Sequence, residues 1–207
     1  RLSATSTAGG DAAALELVAG CLLATGVTGA VPISGAGTCL MWIPAKAAIR
    51  AGQITGTDWD DANVGVDSAA FNKDCKASGG QSLAAGQDAD ATGQASIAMG
   101  RTAQALENDS VAIGLRARVN VSCSGAVALG EDSECNTEGP AFAMGKGCET
   151  FARYTTALGR ESRSFIRGEL VHQPDPMSVR QSGVVAGSGA VVEPQLDVRA
   201  QVLAGHR

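Results

Sequence analysis

The chain has little of what most enzymes and binding domains rely on. Aromatic residues make up 3% of its 207 positions, with one Tyr, two Trp and four Phe. So few rings do not build an ordinary globular core. They also argue against a glycan-cleaving site, which needs positioned carboxylates beside aromatic platforms. There is no C-x-x-C among Cys21, Cys39, Cys75, Cys123, Cys135 and Cys148, and His172 and His206 have no ligand spacing around them. A zinc site is not expected. There is no Lys/Arg run, and the net charge is −5, so a nucleic acid is not the expected partner. The apolar stretch 12–24 contains Glu16 and Gly20 and is too short to span a bilayer, so membrane insertion is not expected. No strict G-X-Y period, nucleophile motif or phosphate loop is present. These absences predict a non-enzymatic chain without a cofactor or metal.

What is there is a repeat. Ser82-Leu83-Ala84-Ala85-Gly86 is followed by Ser96-Ile97-Ala98-Met99-Gly100 and Ser110-Val111-Ala112-Ile113-Gly114. Then come Ala126-Val127-Ala128-Leu129-Gly130, Ala141-Phe142-Ala143-Met144-Gly145 and Thr155-Thr156-Ala157-Leu158-Gly159, and a degenerate copy, Ser68-Ala69-Ala70-Phe71-Asn72, precedes them all. The anchors at 72, 86, 100, 114, 130, 145 and 159 step by 14 to 16 residues. Self-similarity at a fixed period marks a stacked architecture. Small residues recur three and five places after each anchor, so both halves of the unit alternate with the period of a strand. Fourteen residues are too few for a helical crossover, so successive units must wind as a coil of short parallel strands. The anchor glycines Gly86, Gly100, Gly114, Gly130, Gly145 and Gly159 suit turns with positive φ, and Asn72 is the next most tolerant residue.

The alternation also predicts faces. The bulky positions Leu83, Ile97, Met99, Val111, Ile113, Val127, Leu129, Phe142, Met144 and Leu158 are expected inside each coil. The column Ala84, Ala98, Ala112, Ala128, Ala143 and Ala157, headed by Ala70, is expected on the opposite face, packed against another backbone. A lone thin coil remains under-filled and exposes bare edges at its ends, which favours oligomerisation. Cys75, Cys135 and Cys148 fall in columns of small residues and read as buried, reduced hydrophobes.

The S-x-A-x-G-x-x-A pattern, clearest in Ser110-Val111-Ala112-Ile113-Gly114-Leu115-Arg116-Ala117, resembles the head repeat of YadA-like trimeric adhesins. That resemblance implies an all-β fold, a trimeric left-handed parallel β-roll, with three copies of the chain side by side. The same roll is used in phage fibres and spikes, so the resemblance fixes fold better than function.

The chain then divides into an arm at 1–11, an N-terminal attachment and cap region at 12–67, a seven-rung roll at 68–164 and a C-terminal β module at 165–207. Cys39-Leu40-Met41-Trp42-Ile43 reads as a strand ended by Pro44, and both Trp42 and Trp59 are expected to seal the cap. The extra residues in 119–125 and 137–140 read as surface bulges. The outline R-G-E-L-V-H followed by D-V-R-A-Q is similar to segments after such repeats in phage tail-fibre proteins. The expected role is a non-catalytic structural or attachment protein on a virion surface. Its partners would be two copies of itself, other virion proteins through the N-terminal region, and the host surface. The head of a bacterial surface adhesin is the alternative, and a spike enzyme is the weakest reading.

Overall fold

The computed structural model describes residues 28–173. A hairpin opens them: β1 (Gly37–Ile43) pairs antiparallel with β2 (Ala48–Ile54) across a 3-10 turn that begins at Pro44. Long and short strands then alternate: β3 (Ala69–Lys73), β4 (Lys76–Ala77), β5 (Leu83–Gln87), β6 (Asp90–Ala91), β7 (Ile97–Arg101), β8 (Gln104–Ala105), β9 (Val111–Ile113) and β10 (Arg118–Val119). The order continues with β11 (Val127–Leu129), β12 (Glu134–Cys135), β13 (Phe142–Lys146), β14 (Glu149–Thr150), β15 (Thr156–Arg160), β16 (Arg163–Ser164) and β17 (Leu170–Gln173). The long strands stack into a ten-stranded sheet and the short ones into a seven-stranded sheet, each parallel beyond the hairpin. The result is a parallel β-solenoid of about seven turns, a β-roll. The arm at 1–11, the first part of the attachment region up to residue 27 and the C-terminal β module from residue 174 lie outside the described residues.

Two local devices hold a rung. A hydroxyl four places before the anchor donates back to a carbonyl three residues earlier: Ser68 to Gly65, Ser82 to Gly79, Ser96 to Gly93 and Thr155 to Ala152, each at 2.7 Å. These hydroxyls are buried, so each bond satisfies a group that would otherwise be costly inside the coil. Ala126 and Ala141 replace the hydroxyl in the two rungs that follow an insertion. The second device is the anchor. Gly86, Gly100, Gly114, Gly130 and Gly145 have φ between 120° and 138°. A Cβ on any of these five would stand 1.7 to 2.3 Å from the carbonyl oxygen of the next anchor. Close approach between rungs therefore demands glycine there as firmly as the backbone angle does.

The structure reverses the predicted faces. Ala70, Ala84, Ala98, Ala112, Ala128, Ala143 and Ala157 are fully buried inside the single coil, facing the short-strand column of Ala77, Ala91, Ala105, Val119, Cys135, Thr150 and Ser164. Leu83, Ile97, Met99, Val111, Ile113, Val127, Leu129, Phe142, Met144 and Leu158 point outward and none is buried. The reason is thickness. Each rung folds its two strands back through turns of a few residues, so the sheets lie too close for leucine or methionine between them. Methyl groups, thiols and hydroxyls fill that space to close packing.

Register extends the ladder on both sides of 68–164. Gly52 pairs with Asn72, and Arg50 with Ala70, so β2 is a rung of the same stack. At the other end Leu170, Val171 and His172 pair with Thr156, Ala157 and Leu158. Arg50 therefore stands in the alanine column at its N-terminal end and is fully buried. Its guanidinium donates to the Ser68 hydroxyl at 2.9 Å, the Ser68 carbonyl at 3.1 Å and the Ala77 carbonyl at 2.8 Å. Burial lowers its pKa to about 10, which leaves it charged at neutral pH. Trp59, fully buried with its Nε1 donating to the Cys75 carbonyl at 2.8 Å, closes the same end. Trp42 does not: it is 42% exposed on the outer face of the hairpin.

Candidate functional site: the outward face of the long sheet

The outer face of the ten-stranded sheet carries two parallel columns. Strand register aligns Trp42, Ile49, Ala69, Leu83, Ile97, Val111, Val127, Phe142, Thr156 and Leu170 in one. It aligns Leu40, Ala51, Phe71, Ala85, Met99, Ile113, Leu129, Met144, Leu158 and His172 in the other. Only Thr156 and His172 interrupt the apolar run. Leu40 is 71% exposed, Met144 47%, and Met99 and Ile113 39% each. A single soluble chain rarely leaves a continuous apolar strip of this kind bare, and such a strip marks an interaction surface.

The face of the short sheet is its opposite in character. Lys76, Asp90, Gln104, Arg118, Glu134, Glu149 and Arg163 alternate there with buried neighbours. Charges answer each other between rungs: Arg163 meets Glu149 at 3.2 Å and Lys76 meets Asp58 at 3.7 Å. On the turns Arg116 makes a two-pronged bond to Asp132 at 2.5 and 2.7 Å, and Glu131 is shared by Arg116 and Lys146. The acidic spots at Asp58, Glu131, Asp132 and Glu134 thus have basic or amide partners. Asp60 and Asp74 accept from the backbone of Gly35 and Thr55. Asp90 is the exception; one of its oxygens is buried and unpaired, and burial raises its pKa. No group of three metal-ligating side chains occurs among the described residues.

The thiols of Cys75, Cys123, Cys135 and Cys148 are buried and unbridged. Cys75 and Cys148 donate to the carbonyls of the next anchors, Gly86 at 3.1 Å and Gly159 at 3.0 Å. Burial pushes all four thiols up, that of Cys135 to about 11. They are packing groups with weak donors and not nucleophiles.

Sequence reasoning found the bulky members of the outward strip between 83 and 158, all but Ala85 and Thr156, but placed them inside. It missed the extension through Ile49, Ala51, Leu40 and Trp42. The signal was present: Ile49-Arg50-Ala51-Gly52 carries the anchor glycine in the right place. Its step to Asn72 is 20 residues, and Arg50 hides the alanine.

No helix among the described residues is long and apolar enough to cross a membrane. A comparison with curated proteins gives no match. The sequence profile of the YadA head domain repeat matches in two copies, at residues 77–100 and 91–117. These copies lie in the middle of the ladder, on rungs whose hydroxyl bonds, buried alanines and anchor glycines are those described above. The chain carries the YadA-like head repeat.

Proposed function

We propose that this chain is a non-catalytic structural and attachment module that assembles as a homotrimer through the outward face of its long sheet. The observation that carries this reading is the apolar strip from Leu40 and Trp42 to Leu170, interrupted only at Thr156 and His172. YadA head domains are adhesin-like structural domains and are generally homotrimeric. Three strips meeting along a common axis would cover the exposed apolar columns and leave the charged short-sheet faces outward. The alanines are spent inside each coil, so the bulky columns are the surface left for assembly.

The finer reading is a component of a phage particle, displayed on a fibre, spike or capsid. The N-terminal region, 1–67, would join it to other virion proteins, and 165–207 would continue or end the rod. The outline of residues 167–172 and 197–201 supports this context. The head of a bacterial surface adhesin is the second reading, favoured by the repeat itself. Both place the roll on a surface and give it no chemistry to perform.

Assembly is tested by sedimentation of the full chain and of Met99→Lys/Ile113→Lys. A trimer that the double substitution splits into folded monomers is expected. A folded wild-type monomer at micromolar concentration refutes the assembly. Antibodies against the chain decide the context: label on purified phage particles supports the virion, and label confined to bacterial envelopes supports the adhesin.

A further inference from the structure

We infer that a cleft on the turn edge of the roll binds a hexose unit of a neutral glycan. The cleft has a volume of about 410 Å³ and is lined by Ser122, Glu138, Gly139, Pro140, Arg153 and Tyr154. Sites for small ligands have volumes of about 300–1,000 Å³. The cleft exists because the two insertions that break the period fall on neighbouring rungs. The loop at 119–125 has two extra residues and the loop at 137–140 has one. The Gly139 N–H donates to the Ser122 carbonyl at 2.8 Å, and the Tyr154 N–H to the Pro140 carbonyl at 2.7 Å. The floor is thus tied together by backbone bonds.

Tyr154 is out of place in its column. Five residues before every anchor except Gly145, where Pro140 stands, the chain makes a left-handed turn, with Asp67, Gln81, Ala95, Asp109 and Gly125 there in earlier rungs at φ 53° to 70°. Tyr154 adopts φ 59° at this position, and Gly168 follows in the next rung at φ 78°. A bulky aromatic residue is uncommon in that conformation. The ring is nevertheless 59% exposed, and the Arg167 guanidinium sits over it, 5.4 Å from the centroid. Arg167 holds the ring from one side, and the ring lines the cleft.

Beside the ring, Arg153 Nη2 donates to Glu138 Oε2 at 2.8 Å. That bond uses one oxygen of Glu138 and one nitrogen of Arg153. Arg153 keeps further N–H donors and Glu138 a second acceptor oxygen, and sugar hydroxyls, each of which gives and accepts a bond, can use both kinds of group. The C–H face of a pyranose suits the apolar face of the ring. Glu138 already neutralises Arg153, so an acidic sugar would have to displace a carboxylate, and a neutral one would not. The proposal rests on the attachment reading for its purpose only. The cleft is built by one chain and lies off the apolar strip, and three copies in a trimer would bind a polymeric glycan with avidity.

The chain has one tyrosine, so full-length protein grown with 3-fluorotyrosine gives one fluorine resonance for Tyr154. Oligomers of glucose, mannose and galactose are titrated at millimolar concentration, with oligogalacturonate as the acidic comparison. A saturable shift with at least one neutral oligomer is expected, and Arg153→Ala and Glu138→Gln each weaken it by about tenfold or more. Both side chains are exposed, and circular dichroism checks that the roll is kept. No saturable shift with any neutral oligomer, a shift with oligogalacturonate alone, or affinity unchanged in both variants overturns the proposal. Sedimentation of the same samples reports assembly separately, so binding by a monomer would refute the trimer and leave the cleft standing.

Discussion

Arg50 is the register partner of Ala70, so an arginine precedes the column that alanine fills in the next seven rungs, from Ala70 to Ala157. The end of a solenoid leaves carbonyls and interior volume uncovered, and the first rung needs a longer side chain than a methyl group. Arg50 supplies the length, and its donors reach both carbonyls of the next rung and the Ser68 hydroxyl. The charge is kept without a carboxylate because oxygen atoms accept from both terminal nitrogens, while Nε is buried without a partner.

Arg50→Ala is therefore expected to destabilise the roll from its N-terminal end. It removes a charged donor from three buried oxygens, each bond worth about 1 kcal/mol because the Ser68 and Ala77 carbonyls keep the N–H groups of Ile49 and Gly65 and the Ser68 hydroxyl keeps the Gly65 carbonyl, and it opens a cavity. Arg118→Ala, at an exposed place on the short sheet, should cost no more than about 0.5 kcal/mol. Urea unfolding of both variants checks the contrast. Equal midpoints would show that Arg50 does not seal the stack.

The period, the strand geometry and the anchors were legible because glycine repeats wherever one rung touches the next. The faces were not. Hydrophobic alternation shows that two sides differ but not which is inside, and large apolar residues are ordinarily the buried ones. Here the span between the sheets admits only Ala112 and its equivalents, and Ile113 is turned outward for a second chain. The cleft was legible only as two breaks in the period. Nothing in the spacing places Tyr154 beside Glu138 and Arg153, since that depends on which turns stack.

Ala112→Leu and Ile113→Lys separate the two surfaces. Three extra carbons at Ala112 have no room in a fully buried site between two sheets, and overpacking of this kind costs about 1–3 kcal/mol or more. The leucine variant should melt lower even when dissociated. The lysine variant should keep the coil and lose the oligomer. Thermal melts and sedimentation run together test this, and identical behaviour of the two variants would refute the face assignment.

Gly100→Ala should be worse than an ordinary glycine-to-alanine change in a strand. Its Cβ would stand 2.2 Å from the Gly114 carbonyl oxygen, and the φ of 130° is one that L side chains rarely adopt. Neither backbone can yield without moving the whole stack. Gly80→Ala is the control, because its nearest contact would be 3.8 Å away. Insolubility or loss of the melting transition is expected for Gly100→Ala and near wild-type behaviour for Gly80→Ala.

Alkaline pH should loosen the roll through its thiols. Burial raises the folded-state pKa of Cys135 from 9.0 to about 11 and moves Cys75, Cys123 and Cys148 in the same direction. The folded state therefore holds its thiol protons to higher pH than the unfolded chain. Between pH 9 and about 11 the unfolded state binds fewer protons, so stability falls as pH rises, and below 9 the contribution is fully present. For Cys135 alone the loss amounts to about 2–3 kcal/mol across that window. Cys135→Ala fits a column where Ala77, Ala91 and Ala105 already serve, and it should flatten the alkaline slope of urea stability while leaving pH 7 stability within about 1 kcal/mol. The same burial predicts slow iodoacetamide labelling at pH 8 for these four thiols and faster labelling at the half-buried Cys39. A slope unchanged in Cys135→Ala, or labelling of Cys135 as fast as Cys39 in the native protein, would show that the interior admits water and that the packed-methyl account of the coil is wrong.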